Sequence, residues 1–434
     1  MPPPPPMTQP MTLAEKIIAR AAGQDSVKPG DIVTCAVDLA MMHDSSGPRR
    51  AGKMLDELGV APWDTSKIVI VTDHYVNDPD PGSVKTQEIT RQWVADKGIE
   101  NFYPEQGICH VVLPEKGHLK PGMFCVGADS HSTTGGAFGA FMIGVGATEM
   151  TGVLATGEIW VRVPETLRVS VSGALSDGVA AKDVILKLCG DIGIMGANYM
   201  VVEYAGAAVV AMSVDERMTL TNMAAELGAK TGIIAPDGTT AEMLAAAGAG
   251  EIDSKSWQGD EDAAIARTID IDGLALGPQV AAPSSPENAA DIAEHSGQPL
   301  GQAYIGACTG AKLEDLRMAA RVVRGRRKAV DTRFFVAPAS ILIHQAAADD
   351  GTLKILEDAG ATILPTGCGG CIGLGAARLD EEMTGISTTN RNFVGRAGPE
   401  SSKLYLASAY TVAASAMTGE ITDPRELLAG GGGK

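Results

Sequence analysis

The chain has no apolar run near the roughly 20 residues that cross a bilayer. Its opening, MPPPPPMTQP, lacks the charged-then-apolar pattern of a secretory signal. Both absences point to a cytoplasmic protein with no membrane partner, led by a disordered proline-rich tail over residues 1–10. Positive charge is scarce as well. Lysine and arginine number 35 against 53 acids, a net charge of -18, and the only basic block is RVVRGRRK, ending at Lys328. A nucleic-acid reader needs a positive face that this balance makes hard to build, so no nucleic-acid partner is expected. Cysteine is the third shortage: 7 in 434 residues are too few and too scattered for a disulfide scaffold. In a reducing compartment such thiols are packing groups, metal ligands or reactive centres. Cys35, Cys109, Cys125 and Cys189 sit in apolar runs and read as packing, which leaves Cys308, Cys368 and Cys371.

What is present reads as α/β. TLAEKIIARAAG opens with a capping box, Thr12 as N-cap and Glu15 three residues on, and stops at Gly23. Short β-rich runs then alternate with helical patterns and glycine turns. The division expected is a first α/β domain over 11–160 and a second over 161–278, with TLRVSVSG and AAVVAMSV as strands and DVILKLCGDIG and TLTNMAAELGAK as helices. The stretch 279–299, rich in proline, serine and alanine, reads as an exposed linker, and 300–434 as a third domain carrying the three remaining cysteines. Four apolar strands run straight into reactive residues: IVIV into Asp73 and His74, MFCVG into Asp129, Ser130 and His131, AYIGA into Cys308, and ATILPTG into Cys368 and Cys371. Open α/β sheets gather ligands outside the carboxyl ends of their strands, so these four ends can face one cleft.

Cys368-Gly-Gly-Cys371, between a strand and the helical-looking GAARLDEEM, admits three readings. A thioredoxin-like redox pair needs a small domain of its own, and the surrounding unit has the wrong size. Structural zinc needs more ligands, with His344 in SILIHQAAAD the candidate nearest in the chain. Adding Cys308 gives three thiolates, enough for three corners of a 4Fe-4S cluster and leaving one iron open to act as a Lewis acid.

VGADSHSTTGGAFGAFMIGVGATEM (126–150), GCGGCIG and STTNRNFVGRAG (387–398), in that order, resemble the aconitase superfamily, and most closely the large subunits of its two-subunit 3-isopropylmalate dehydratase and homoaconitase branch. The resemblance runs from TLAEKI to ITDPRE. It implies three α/β domains around a central cleft without the C-terminal swivelling domain of single-chain aconitases, and a small subunit carrying that domain as partner. It makes Cys308, Cys368 and Cys371 ligands of a 4Fe-4S cluster with one iron free of protein. It makes Asp73, His74, His110, Asp129, His131 and Glu203 the acid–base set, with His74 on Asp73 as the acid for a leaving hydroxyl, and His110 and His131 steered by Asp129 and Glu203. His43, Ser130, Asn390, Arg391 and Arg396 are then substrate contacts, the arginines suiting a dicarboxylate through their planar forks.

The implied reaction is reversible dehydration of a malate-type hydroxy dicarboxylate, 3-isopropylmalate first, with homoaconitate, 2-methylmalate and 2,3-dimethylmalate chemistry as alternatives. An RNA-binding apoprotein is the remote one, and the charge opposes it. One local departure stands out: where the family usually has Ser-Cys-Thr-Asn, this chain has Ala307-Cys308-Thr309-Gly310, without a hydroxyl and an amide beside the first ligand. His118 and His295 read as loop histidines without a role.

Overall fold

The computed structural model describes residues 9–76 and 78–429; the proline run before residue 9 and the terminal GGGGK lie outside them. Among the described residues, three sheets built on parallel strands follow one another along the chain, beside a two-stranded antiparallel pair, Ile32–Ala36 with Glu158–Arg162. In the first, five parallel strands lie in the order Asn101–Pro104, Ile68–Thr72, Leu39–His43, Phe124–Gly127, Phe141–Gly144. Every residue of Ile68–Thr72 and Leu39–His43 is buried, as expected for parallel strands covered on both faces. Counted along the chain the order is 3-2-1-4-5, so the winding reverses between Leu39–His43 and Phe124–Gly127. The second sheet has four parallel strands, Thr231–Ile233, Val201–Ala205, Thr166–Ser172 and Arg267–Asp272.

The parallel part of the third sheet, Lys403–Leu406, Thr384–Ser387, Gln302–Ile305, Arg333–Val336 and Thr362–Ile363, repeats the winding of the first when read from its other edge. Its reversal lies between Gln302–Ile305, which leads to Cys308, and Thr384–Ser387, which leads to Asn390. No sequence repeat announces this shared topology.

The opening helix, Leu13–Ala21, carries the full capping box: the Glu15 N–H donates to Thr12 Oγ1 and the Thr12 N–H donates to Glu15 Oε2. Other expectations need correction. The 279–299 stretch is no exposed linker: Gln279–Ala281 and Ala289–Asp291 add an antiparallel edge to the third sheet, and Val280 and Ala281 are wholly buried. Proline and serine there mark the turn between two edge strands, where a missing N–H does no harm. AAVVAMSV is helical over Ala207–Ala211, and the strand beside it is Val201–Ala205. A short apolar run does not tell strand from buried helix by periodicity alone. GAARLDEEM forms no helix; the helical turn there is Gly369–Ile372, within the cysteine pair itself. Among the described residues no helix is long and apolar enough to cross a membrane.

The first and second sheets meet where the turn Ser130–Phe138 lies on the helix Val214–Met223 and the strand Thr231–Ile233. Ile234 N–H donates to Gly136 O at 3.0 Å, and a Cβ at Gly136 would fall 1.7 Å from Gly232 O. Backbone meets backbone there, so no side chain can give way. Gly136→Ala should therefore cost at least about 2 kcal/mol, within the range for overpacked cores, and lower the denaturant midpoint. A midpoint equal to the unsubstituted chain's would show that the two sheets are not locked at this contact.

Candidate active site

The two winding reversals face each other across a cavity of about 540 Å³. The first sheet contributes His43, His74, His110, Asp129, Ser130 and His131 to its wall. The third contributes Cys308, Cys368, Cys371, Asn390, Arg391 and Arg396. Residues from separate motifs thus share one space because they lie at or beyond the carboxyl ends of parallel strands, central ones and, for His110 and the cysteine pair, edge ones.

Asp73 is wholly buried behind His74, whose Nδ1–H donates to Asp73 Oδ1 at 2.6 Å. Burial alone would lower the His74 pKa, but the Asp73 charge and hydrogen bond, with help from Asp44, lift it from 6.5 to about 10. Asp73 is correspondingly held far below the usual carboxylate range: burial opposes this, and His74 outweighs burial. Asp73 Oδ2 accepts the Cys109 N–H at 2.8 Å. The Asp44 oxygens take the N–H groups of His74 and Tyr75 and the Gln87 amide. These acids spend their lone pairs on N–H donors, so this cluster is built to hold histidines rather than an ion.

His43 stacks on His74 with ring centres 4.2 Å apart. Its Nδ1 accepts the Ser45 N–H at 3.2 Å, which places the ring proton on Nε2, 3.1 Å from Ser46 Oγ. Ser46 in turn donates to Ala128 O, so both residues are locked in place.

Asp129 joins the other two histidines. Its Oδ1 lies 2.8 Å from His110 Nε2 and accepts the His131 N–H at 2.8 Å. Burial would raise its pKa, yet the bonds from His110 and His131, with the His43 ring 3.7 Å from Oδ2, hold it well below the carboxylate range.

Glu203, expected to steer one of these rings, does not reach them. It sits in register with Arg168 on the neighbouring parallel strand and accepts its Nε–H at 2.9 Å. The acid in that place is Glu226, in the turn Ala224–Leu227: Oε1 takes the His131 Nε2–H at 2.9 Å, and both oxygens take the Arg391 Nε–H at 3.0 Å. Burial works against a charged His131, and the bonds to Asp129 and Glu226 overcome it, so its pKa is raised.

The three thiols converge. Asn390 Oδ1 lies 3.9 Å from both Cys308 Sγ and Cys371 Sγ, and Cys368 Sγ lies 3.7 Å from Asp73 Oδ2. None is in a disulfide. Burial, then the neighbouring charge of Cys371, pushes the Cys308 thiol up to about 12, and burial with Asp73 and the other two sulfurs holds Cys368 well above the usual thiol range. Cys308 and Cys368 therefore hold their protons as free thiols, and a metal that displaces those protons is what makes them ligands.

Asn222 Nδ2 donates to Cys308 Sγ at 3.1 Å and to Thr134 Oγ1 at 2.8 Å. Asn390, expected at the substrate, is 1% exposed, with its amide bonded to Asn222 Oδ1; it holds the thiol side of the cavity. Asn222 and Glu226 were missed in the sequence because no motif marks them. Their spacing of i and i+4 near the end of a helix, which puts both on one face, is the one available signal.

Arg391 keeps both terminal nitrogens free of protein hydrogen bonds among the described residues, and Arg396 Nε is buried without a partner. His344 is exposed on the helix Ile341–Asp349 and does not line the cavity. His118 Nε2 lies 2.7 Å from Tyr103 Oη, and His295 packs on the Tyr405 ring.

Comparison with known proteins covers nearly the whole chain. The model of the Aconitase family (aconitate hydratase) matches residues 15–419. The 3-isopropylmalate dehydratase large subunit 1 of Methanopyrus kandleri is 47% identical over 419 residues, 96% of this chain and 99% of that one. The large subunit 1 of the same name from Pyrococcus furiosus is 43% identical over 423 residues, covering 96% and 99%. The probable methanogen homoaconitase large subunit of Methanothermobacter thermautotrophicus is 42% identical over 426 residues, covering 97% and 99%.

Glu226 and Glu203 can be told apart without any assay of turnover. Glu226→Gln removes one of the bonds that lift His131 and frees Arg391 to oppose its charge, so an NMR titration should show the His131 pKa falling. Glu203→Gln should leave it unmoved and, at a partly exposed pair, cost no more than about 1 kcal/mol. Equal His131 titrations in the two variants would refute the placement. His74 sets a second pH dependence: its contribution to stability is complete below 6.5 and is lost as pH rises through about 10.

Proposed function

Because the chain belongs to the aconitase family, we propose that it is the large, cluster-binding subunit of an iron–sulfur hydro-lyase that reversibly dehydrates 3-isopropylmalate. The observation that carries this reading is one cavity holding three unpaired thiols, two arginines with free donors, and a histidine kept charged by a buried aspartate. The names of the full-length relatives support the substrate. The relative named homoaconitase, at 42% identity, keeps homoaconitate chemistry as the alternative.

The donor set suits a 4Fe-4S cluster. Cys308, Cys368 and Cys371 would hold it with one iron left unligated by protein, and an amide N–H from Asn222 already points at Cys308 Sγ. When bound, that iron supplies Lewis acidity toward the substrate's hydroxyl and carboxylate. The chain's own groups account for the rest. Arg391, through its free terminal nitrogens, and Arg396, through its unpartnered Nε, pair with the two carboxylates and fix the substrate's orientation. His74, held by Asp73 at Nδ1, gives its other ring proton, at Nε2, to the departing hydroxyl and takes it back in the reverse direction. His43 backs that ring, while Asp129 aims His110 and, with Glu226, His131 at the same space. Ser130, exposed on the cavity wall, is a further substrate contact.

Removing the proton next to a carboxylate also needs a base, and we assign that base to a small subunit closing the cleft, in keeping with relatives named as large subunits. The three sheets would then correspond to three domains, 11–160, 161–278 and 279 onward.

The test is anaerobic reconstitution with iron and sulfide, with and without a small subunit, followed by assay of 3-isopropylmalate against homoaconitate, 2-methylmalate and 2,3-dimethylmalate. One oxygen-labile cluster per chain is expected, lost in Cys308→Ser, with turnover of 3-isopropylmalate only when the partner is added. His74→Asn should lower kcat by roughly 10²–10⁴-fold, the usual worth of a positioned acid. In Asp73→Asn the alkaline limb of the pH profile should move below about 10 toward neutrality, because the charge that lifts His74 is gone. Stoichiometric zinc with no cluster absorbance, or full-rate turnover by this chain alone, would overturn the cluster or the two-subunit assignment respectively.

A further inference from the structure

We propose that Tyr304 is a positioning residue for the cluster ligands: its phenol O–H donates to a thiolate of the Cys368/Cys371 pair once those sulfurs carry metal, and so sets the redox potential and oxygen lability of the cluster. The inference rests on the cluster reading above and assigns a role to a group outside the motifs.

Tyr304 lies in the strand Gln302–Ile305, four residues before Cys308. Its side chain is buried and its hydroxyl has no hydrogen-bond partner among the described residues. A buried hydroxyl left unpaired is destabilising, and a phenylalanine would avoid that cost. The packing shows where a partner can arrive. A Cβ at Gly306 would fall 2.1 Å from Tyr304 Cζ and 2.2 Å from its hydroxyl oxygen, and one at Gly370 would fall 2.8 Å from Cζ. The phenol tip is thus gripped by bare backbone from both ligand-bearing turns, one leading to Cys308 and one lying between Cys368 and Cys371. It cannot swing away from them.

Burial first, and then the charges of Cys371 and Cys368, raise the phenol's pKa, which places both sulfurs within electrostatic reach and keeps the O–H a donor. Tyr304 lines a second cavity of about 280 Å³ together with Gly367, Gly369 and Gly370, and that cavity shares His74 and Leu374 with the first. That space lets the two-glycine turn settle onto the phenol when its cysteines take up metal. A thiolate is a far better acceptor than a thiol, so the bond forms with loading.

Hydrogen bonds to cluster sulfurs withdraw electron density and raise the reduction potential. The experiment uses the full chain, reconstituted anaerobically, as wild type and Tyr304→Phe. Wild type in D₂O should show, by pulsed EPR of the reduced cluster, one exchangeable deuteron coupling more than the variant, in which the Asn222 amide on Cys308 remains; the variant should also have a more negative midpoint potential and lose its cluster in air roughly tenfold faster, the scale of effects from groups that hold metal ligands. A loaded Tyr304→Phe chain with unchanged coupling and potential overturns the proposal; that is also the result if the phenol only serves a water in the second cavity. Should Tyr304→Phe fail to load, fluorotyrosine at position 304 decides. Its more acidic O–H must move the potential the other way, and no movement refutes the role. Failure of the wild-type chain itself to take up a cluster would instead sink the cluster reading, and this inference with it.

Discussion

The buried carboxylate of Asp73 is the constraint on which the rest of the site depends. An ion with no exposure is tolerable only when its oxygens are filled with donors, and leaving one member of such a set unpaired costs about 3–5 kcal/mol. Asp73 meets that demand with the Nδ1–H of His74 and the N–H of Cys109, the first residue of the helix Cys109–Glu115. Its backbone carbonyl takes the Cys368 N–H at 2.8 Å. One residue at the end of a first-sheet strand therefore orients the acid, anchors the helix that carries His110, and docks the cysteine turn of the third sheet. Gly367 makes that docking sterically possible: its φ is +135°, and a Cβ there would fall 2.8 Å from Val76 Cγ2 and 3.0 Å from Asp73 O.

Around this anchor the charges alternate. Three thiolates and the paired acids would make the cavity strongly negative, and the counter-charges come from all three sheets. His74 is held protonated from the first, and His131 there is shifted toward its charged form. Arg391 and Arg396 come from the third. Two wholly buried lysines stand behind the thiols: Lys182 donates to the carbonyls of Thr388 and Thr389, and Lys312 donates to Cys308 O and Asp315. Burial brings Lys182 down to about 8, so its charge is weakly held until negative charge gathers at Cys308. Metal uptake by the thiols and full protonation of Lys182 would then reinforce each other.

Much of this was legible before any coordinates. Strands that run into Asp-His, Asp-Ser-His and Cys-Gly-Gly-Cys signal their chemistry locally, because the reactive residue must follow the strand end that presents it. Groups that act from a distance carry no such mark. Glu203 was implied by the family resemblance alone, but a residue in the middle of Val201–Ala205 faces its neighbour across the sheet, and there the neighbour is Arg168. Glu226, in a turn that reads as an ordinary helix end, reaches His131 only because the Ser130–Phe138 turn packs on its helix. The 279–299 stretch failed for a related reason: proline and serine report the turn, and the two short edge strands flanking it contribute too few residues to show a period.

The departure at Ala307 and Gly310 shows how the site is divided among the sheets. Gly310 cannot be an asparagine in this packing, since even a Cβ would fall 2.1 Å from Thr388 Cβ, and Thr388 Oγ1 is itself committed to Gly306, donating to its O and accepting its N–H. The amide beside Cys308 comes instead from Asn222, on the helix Val214–Met223 that joins strands of the second sheet. Asn222 is fixed by Thr134 of the first sheet's turn and by Asn390 of the third. A thiol whose hydrogen-bond donor belongs to another unit is a good ligand only while the units are docked. Assembly of the three sheets and readiness of the Cys308 sulfur are therefore one event, and whatever loosens the contact between the Ser130–Phe138 turn and the Val214–Met223 helix weakens the ligand set without touching a cysteine.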